Sequence, residues 1–202
     1  SGLIFLLGAL AALGAAAIDM YLPSLPSIES ELGGVSGSAQ FTLSSFFIGL
    51  GLRQLFYGLI SDSLGRRKVL VVGLLIYCLG SLFCFFAGTM MELVAARFFQ
   101  ALGAAAGGVI ARAMVRDVFT GKKAAQAQSF INLAFSFTPL MAPLFGGYLL
   151  IFFGWRSIFL ALLLFGIICL SILILKIPET LPKKKRNTLG LVSIVLGYRT
   201  IL

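Results

Sequence analysis

The sequence predicts an all-α membrane protein, a bundle of six transmembrane helices, on three observations. Of 202 residues, 59% are hydrophobic and 11% charged, against about 45–50% and about 25% in soluble domains. The mean hydropathy is +1.05. Apolar residues run on continuously for the length of a spanning helix, roughly 20 residues, instead of alternating as in the strands of an outer-membrane barrel. Six such helices use about 120 apolar positions, close to what the chain supplies. The same figures exclude a soluble enzyme domain, a disordered chain and a disulfide scaffold.

The spans are read at 3–26, 40–60, 68–88, 93–115, 124–153 and 157–177, so that 1–177 forms the bundle and 178–202 a polar tail. Their connections alternate in charge. The first loop holds Glu29 and Glu31, the third Glu92 and the fifth Arg156. The second holds Arg66, Arg67 and Lys68, the fourth Arg112, Arg116, Lys122 and Lys123, and the tail from Lys176 holds Lys183, Lys184, Lys185 and Arg186. Because Lys and Arg stay on the inner side of a membrane, the second, fourth and tail segments are expected to be cytoplasmic, and with them the N-terminus. The net charge of +9, from 16 basic and 7 acidic residues, is then loop charge. It is not a nucleic-acid footprint, since no basic stripe is interleaved with exposed aromatics. The chain opens at Ser1 without a methionine or a cleavable leader pattern and closes at Leu202 inside an apolar phrase. Both ends are expected to be cut points.

Cys78, Cys84 and Cys169 lie inside apolar runs without metal or redox spacing and read as small apolar side chains. There is no histidine, so any proton carrier inside the bilayer has to be a carboxylate. Neither a P-loop nor a metal-ligating cluster is present in the sequence, and no cofactor is implied. Asp19 is the acid that falls within an apolar span. An intramembrane carboxylate costs at least about 2.5 kcal/mol on insertion scales and marks a pathway, the alternative being a helix-end acid in headgroup water. Arg97 lies at the matching depth in span four, either as the partner of Asp19 or snorkelling to the outer headgroups. Gln100 follows three residues on, on the same face. Pro139 and Pro143, followed by Gly146 and Gly147, give span five a kink and a close-packing surface, with or without a functional role. The 19 phenylalanines suit an apolar cavity and lipid contact equally well.

The most specific run is Gly58-Leu59-Ile60-Ser61-Asp62-Ser63-Leu64-Gly65-Arg66-Arg67-Lys68-Val69-Leu70. A helix ends, the chain turns at glycine, and a new helix opens on a basic cluster. Asp62 is within reach of Arg66 four residues on, and Gly58 leaves room for another helix to approach. This run resembles motif A of the major facilitator superfamily at every fixed position. Arg97-Phe98-Phe99-Gln100-Ala101-Leu102-Gly103 resembles motif B. Ala142-Pro143-Leu144-Phe145-Gly146-Gly147 resembles the antiporter motif, motif C, with Ala142 where that pattern has glycine. Asp19-Met20-Tyr21-Leu22-Pro23-Ser24-Leu25-Pro26, Trp155-Arg156 and Pro178-Glu179-Thr180-Leu181 narrow the likeness to the bicyclomycin/chloramphenicol resistance exporters among the drug:proton antiporters.

The resemblance covers the N-terminal half of such a protein: six helices of a 12-helix fold, built as a 3+3 inverted repeat. Leu55-Phe56-Tyr57-Gly58 against Leu144-Phe145-Gly146-Gly147 fits that repeat. It implies proton-coupled export of small, largely apolar drugs from a bacterial cytoplasmic membrane, with the tail opening the central cytoplasmic loop. The implied partners are drug, protons, lipid and a C-terminal six-helix half. It further implies proton coupling at Asp19 and Arg97, and a substrate cavity around Asp19, Tyr21, Arg53 and Gln100. Gly58, Asp62, Gly65, Arg66, Arg67 and Asp117 would form a cytoplasmic gate, and Pro139, Pro143, Gly146 and Gly147 a seal. Arg53 departs from the pattern, which has a small residue there; pairing with the other half, lining the cavity and an altered position all stay open. Export of a sugar or metabolite, and a half-length assembly module that does not itself transport, are the alternative readings.

Overall fold

The computed structural model describes residues 2–181, without the side chains of residues 53–56 and 59. The expected central-loop segment beyond Leu181 and the side chain of Arg53 lie outside the described residues. The helices are α1 (Gly2–Asp19), α2 (Leu25–Glu31), α3 (Gln40–Leu64), α4 (Arg66–Phe86), α5 (Met90–Val118), α6 (Gly121–Phe153) and α7 (Arg156–Lys176). Five segments are long and apolar enough to cross a membrane: Gly2–Glu31, Arg66–Phe86, Met90–Val118, Gly121–Phe153 and Arg156–Lys176. The sixth, α3, has 25 residues with an apolar first half, about 38 Å at 1.5 Å per residue.

The first predicted span is not one continuous helix. It is interrupted by a 3-10 turn at Leu22–Ser24 before α2. The cause is Pro23, whose ring cannot coexist with a helical carbonyl four residues earlier; that carbonyl belongs to Asp19, where α1 ends. Pro26 opens α2 in the same way, at a position where a missing N–H costs nothing.

Helix α5 is the centre of the bundle, packed on α4, α3 and α1, while α1 packs chiefly on α6, and α4 packs on α7 as well as on α5. That span one pairs with span five, and span four with span two, is the exchange an inverted repeat requires. Lipid supplies no hydrophobic force between helices, so contact depends on small residues that let backbones approach. A Cβ on Gly103 would collide with the backbone nitrogen of Tyr77 on α4, and one on Gly107 with the Leu10 carbonyl on α1. Gly80 of α4 leaves 2.5 Å between such a Cβ and the backbone of Gln100. Ser45 on α3 adds a hydrogen bond to the Val94 carbonyl at 2.8 Å.

The two ends of the bundle are fastened differently. At one end Glu31 accepts from Trp155 Nε1 at 2.8 Å and Arg156 Nη1 at 3.0 Å, and Arg156 Nη2 reaches the Ala87 carbonyl at 3.2 Å. One guanidinium thereby joins the ends of α2, α4 and α7. The other end carries the Gly65 turn and its basic cluster, and is called the basic end below.

Gly103→Ala is expected to lower bundle stability by about 1–3 kcal/mol through overpacking. Gly51→Ala on α3, where a Cβ meets nothing within 4 Å, should raise it by up to about 1 kcal/mol through helix propensity. Denaturant unfolding of the purified chain in mixed micelles measures both, and the two midpoints should move in opposite directions.

Candidate functional site

Helices α1, α3, α5 and α6 line an open cavity of about 550 Å³. Its wall is apolar and small-sided over most of its length, with Asp19, Arg112 and Pro139 among its lining residues. A larger opening of about 740 Å³ lies on the other side of α3, between α3, α4 and α5. It is lined mostly by aliphatic side chains, and its Tyr57 hydroxyl donates to the Leu102 carbonyl at 2.9 Å. The smaller cavity is the stronger candidate because it alone of the two holds a carboxylate.

Asp19 occupies the last position of α1 and is half-buried at the cavity wall. It has no ion-pair partner among the described residues. Arg97 is fully buried and does not snorkel outward. Its Nη1 donates to the Ala17 carbonyl at 3.0 Å and to Gln100 Oε1 at 2.7 Å. Its guanidinium carbon stands 4.4 Å from the ring centre of Tyr21, 4.2 Å from that of Phe46 and 5.8 Å from that of Phe159. Nε and Nη2 are buried with no hydrogen-bond partner. The expected pairing of Arg97 with Asp19 is therefore replaced by an aromatic cage. The reason is the direction of the side chain, which turns between α1 and α5 into the bundle and meets the Ala17 carbonyl two residues before the acid.

Tyr21 and Gln100 are likewise fully buried and pack inside the bundle, where the sequence reading had them lining the cavity. The Tyr21 hydroxyl lies 2.7 Å from Thr42 Oγ1. Gln100 Nε2 donates to Ser81 Oγ at 2.9 Å, whose own proton goes to the Tyr77 carbonyl at 2.9 Å. Arg97, Gln100, Ser81 and the α4 backbone thus form one polar chain through the core.

Pro139 and Pro143 lie inside an unbroken α6. Gly146 faces the interrupted span: a Cβ there would overlap the Met20 carbonyl, just past the end of α1. Gly147, one residue on, meets nothing within 4 Å among the described residues, and neither does Gly58. The close helix approach expected at Gly58 does not occur within this bundle.

At the basic end Gly65 turns the chain with φ of 102°, a conformation side chains disfavour. The turn aims Arg66 back under the bundle. Arg66 pairs with Asp62 through Nη1, donates to Ser61 Oγ at 2.6 Å, and binds Asp117 Oδ2 on α5 through Nε at 3.0 Å. Arg67 instead reaches the Ile174 carbonyl at the end of α7, at 2.8 Å. Three helices therefore converge on two neighbouring arginines.

The family model described as the Major Facilitator Superfamily matches residues 4–201. The chain belongs to the major facilitator superfamily. The uncharacterized MFS-type transporter YdgK of Bacillus subtilis (strain 168) is 42% identical over 91% of this chain and 46% of its own length. A bicyclomycin resistance protein homolog of Haemophilus influenzae is 36% identical, with shares of 96% and 49%. Multidrug resistance protein D of Escherichia coli (strain K12) is 33% identical, with shares of 98% and 50%. The crystal structure of the human organic anion transporter MFSD10 (TETRAN) shares the fold, with a TM-score of 0.74 at 21% identity over 96% of this chain and 52% of that one. The chain spans about half the length of the curated relatives it matches. As a superfamily member with these helices it is a multi-pass membrane protein of a transporter family.

Sequence reasoning gave no role to Glu179. Its Oε1 accepts from the backbone N–H of Arg66 at 2.9 Å, of Arg67 at 3.4 Å and of Leu181 at 3.1 Å. A carboxylate thus covers the N-terminus of α4, where amides are unpaired and the helix dipole favours negative charge. The signal was present in Pro178-Glu179, a proline ending α7 and an acid just beyond it. Its target, 112 and 113 residues away in sequence, was not. Replacing Glu179 by Ala should cost about 1–2 kcal/mol, the worth of a helix cap, and release the segment after α7. Limited proteolysis with mass mapping should then show faster cleavage between residues 177 and 181.

Proposed function

We propose that this chain forms the N-terminal half of a proton-coupled exporter of small, largely apolar drugs. It works by alternating access in a bacterial cytoplasmic membrane, with the basic end and the N-terminus on the cytoplasmic side. The observation that carries the reading is Asp19 on the wall of a largely apolar cavity, two residues from a backbone carbonyl held by the buried Arg97. Membership of the superfamily and the names of its relatives, multidrug and bicyclomycin resistance proteins, support drug efflux. The charge alternation of the loops supports the orientation.

In this reading Asp19 carries the proton. Arg97 supplies a fixed positive charge whose unpartnered Nε and Nη2 receive the ionised carboxylate when α1 shifts at its Pro23 break. Protonation releases that attraction and returns the acid to the cavity, so that proton and drug are handled on one wall. The interrupted span gives α1 the freedom to move, and Gly146 on α6 gives the broken segment a surface to slide against. Asp62, Arg66 and Asp117 hold the cytoplasmic side shut while the cavity faces outward. The second six-helix half supplies the opposing wall.

Asp19→Asn in the complete transporter should abolish drug uptake driven by a proton gradient into inside-out vesicles, with membrane insertion unchanged. Uptake at the wild-type rate would remove Asp19 from the coupling. A second experiment addresses the cytoplasmic cluster. Moving a two-state equilibrium from 1:99 to 99:1 takes about 5.5 kcal/mol, more than one charge-assisted pair of about 1.5–3 kcal/mol supplies. Asp62→Asn and Asp117→Asn should each cause a partial shift to the inward-open state and a several-fold loss of transport. Their combination should be less than additive, because both act through Arg66. Transport rates and the labelling of a cysteine introduced on the cytoplasmic face provide the double-mutant cycle. Additive losses with unchanged labelling would show that the cluster is not a gate.

A further inference from the structure

The charge pattern counts Arg112 with the fourth connection, one basic residue among several, although it falls within the span read at 93–115. The structure gives it a particular place. Helix α5 continues to Val118, so Arg112 stands inside the helix, half-buried, on the wall of the cavity that also holds Asp19. It makes no ion pair and no side-chain hydrogen bond with any described residue. The acids of the basic end are already engaged: Asp62 and Asp117 by Arg66, and Glu179 by the backbone amides of α4. A guanidinium with free donors therefore faces an apolar cavity.

The surroundings leave room for a ligand there. Gly108, one turn earlier on the same helical face, also lines the cavity, and a Cβ on it would meet nothing within 4 Å. Phe47 and Phe135 line the same space from α3 and α6, an apolar frame for the body of a ligand whose head lies on the arginine. Depth separates this place from Asp19. The Ala17 carbonyl is level with Arg97 and the Leu10 carbonyl with Gly107, so α1 and α5 run antiparallel. Asp19 then lies roughly 20 Å from the level of Arg112, at 1.5 Å per residue along α5. A small molecule cannot occupy both, so binding at Arg112 leaves Asp19 free for protons.

We propose that Arg112 selects the charge of the substrate, holding the carboxylate of an amphiphilic organic anion at the basic end of the cavity while the apolar body lies along α5. A carboxylate matches the guanidinium because two parallel N–H donors meet its two oxygens. The proposal rests on the export reading above and narrows its substrate class: an apolar body alone is accepted, a carboxylate on it is favoured, and an ammonium in its place is repelled.

The test uses three molecules with one body: 4-phenylbutyrate, 4-phenylbutyramide and 4-phenylbutylamine. Initial proton-driven uptake of each into inside-out vesicles containing the complete transporter is measured against vesicles without it. The wild type should take up the carboxylate best, the amide less and the amine least. Arg112→Gln should lose ten- to hundredfold on the carboxylate, the worth of a charge-assisted hydrogen bond, and stay within twofold on the amide, which serves as the control for folding. Arg112→Lys should recover most of the carboxylate uptake. Equal losses on carboxylate and amide, or no loss on either, would overturn the proposal. Wild-type uptake of the amide without the carboxylate would overturn it and leave export standing. Wild-type uptake of none of the three would overturn the export reading and this one with it.

Discussion

The structure depends on how closely α5 can approach its neighbours. In a bilayer two apolar helices gain nothing by leaving lipid for each other, so their association rests on van der Waals contact and hydrogen bonds across the seam. Gly103 and Gly107 on α5, with Gly80 on α4, let the backbones of α1, α4 and α5 touch. Three of the charged groups are then mounted on α5: Arg97 near one end, Arg112 on the cavity wall, and Asp117 at the basic end. A side chain at Gly103 or Gly107 would push that whole series out of register with α1 and α4.

Arg97 shows how a charge is kept inside such a bundle without a counter-ion. Burial of an ion costs several kcal/mol even after relaxation. Against this stand two charge-assisted hydrogen bonds of about 1.5–3 kcal/mol each and cation–π contacts of about 0.5–2 kcal/mol each. These are of the same order, so the arginine is held but not saturated, and two of its nitrogens remain without acceptors. In the proposed coupling those nitrogens receive the ionised Asp19. The cluster at the basic end is the opposite case: Arg66 has Asp62, Ser61 and Asp117 around it, as the proposed latch requires.

The same local chemistry recurs at the helix junctions. Pro23 ends α1 at the acid, Gly65 turns α3 into α4, and Glu179 covers the amides that this turn exposes. Each places a charged side chain by interrupting a helix. Asp19, Arg66 and Glu179 are therefore placed at breaks in the secondary structure, while Arg97, Arg112 and Asp117 stand inside the long α5.

The sequence by itself determined the membrane class, the helical fold and the superfamily, because these follow from composition, run length and contiguous motifs, all written along the chain. It also brought Asp62 next to Arg66, a separation of one helical turn. It counted Arg112 with the charges of the fourth connection although the residue falls within the span read at 93–115, since charge by itself cannot tell a helix end from a cavity wall. It had Tyr21 and Gln100 lining the cavity and Arg97 beside Asp19, since spacing gives depth along a helix but not rotation toward a neighbour. Only the packing of α1, α3, α4 and α5 decided those directions, together with the reach of Glu179 to α4, while the join of Asp117 to Arg66 was implied only by the resemblance. The Asp117 and Glu179 contacts join residues 51 to 113 positions apart. The physical reason is that a side chain's partner across a bundle is set by where glycines allow two backbones to meet, and that meeting is a property of both helices at once.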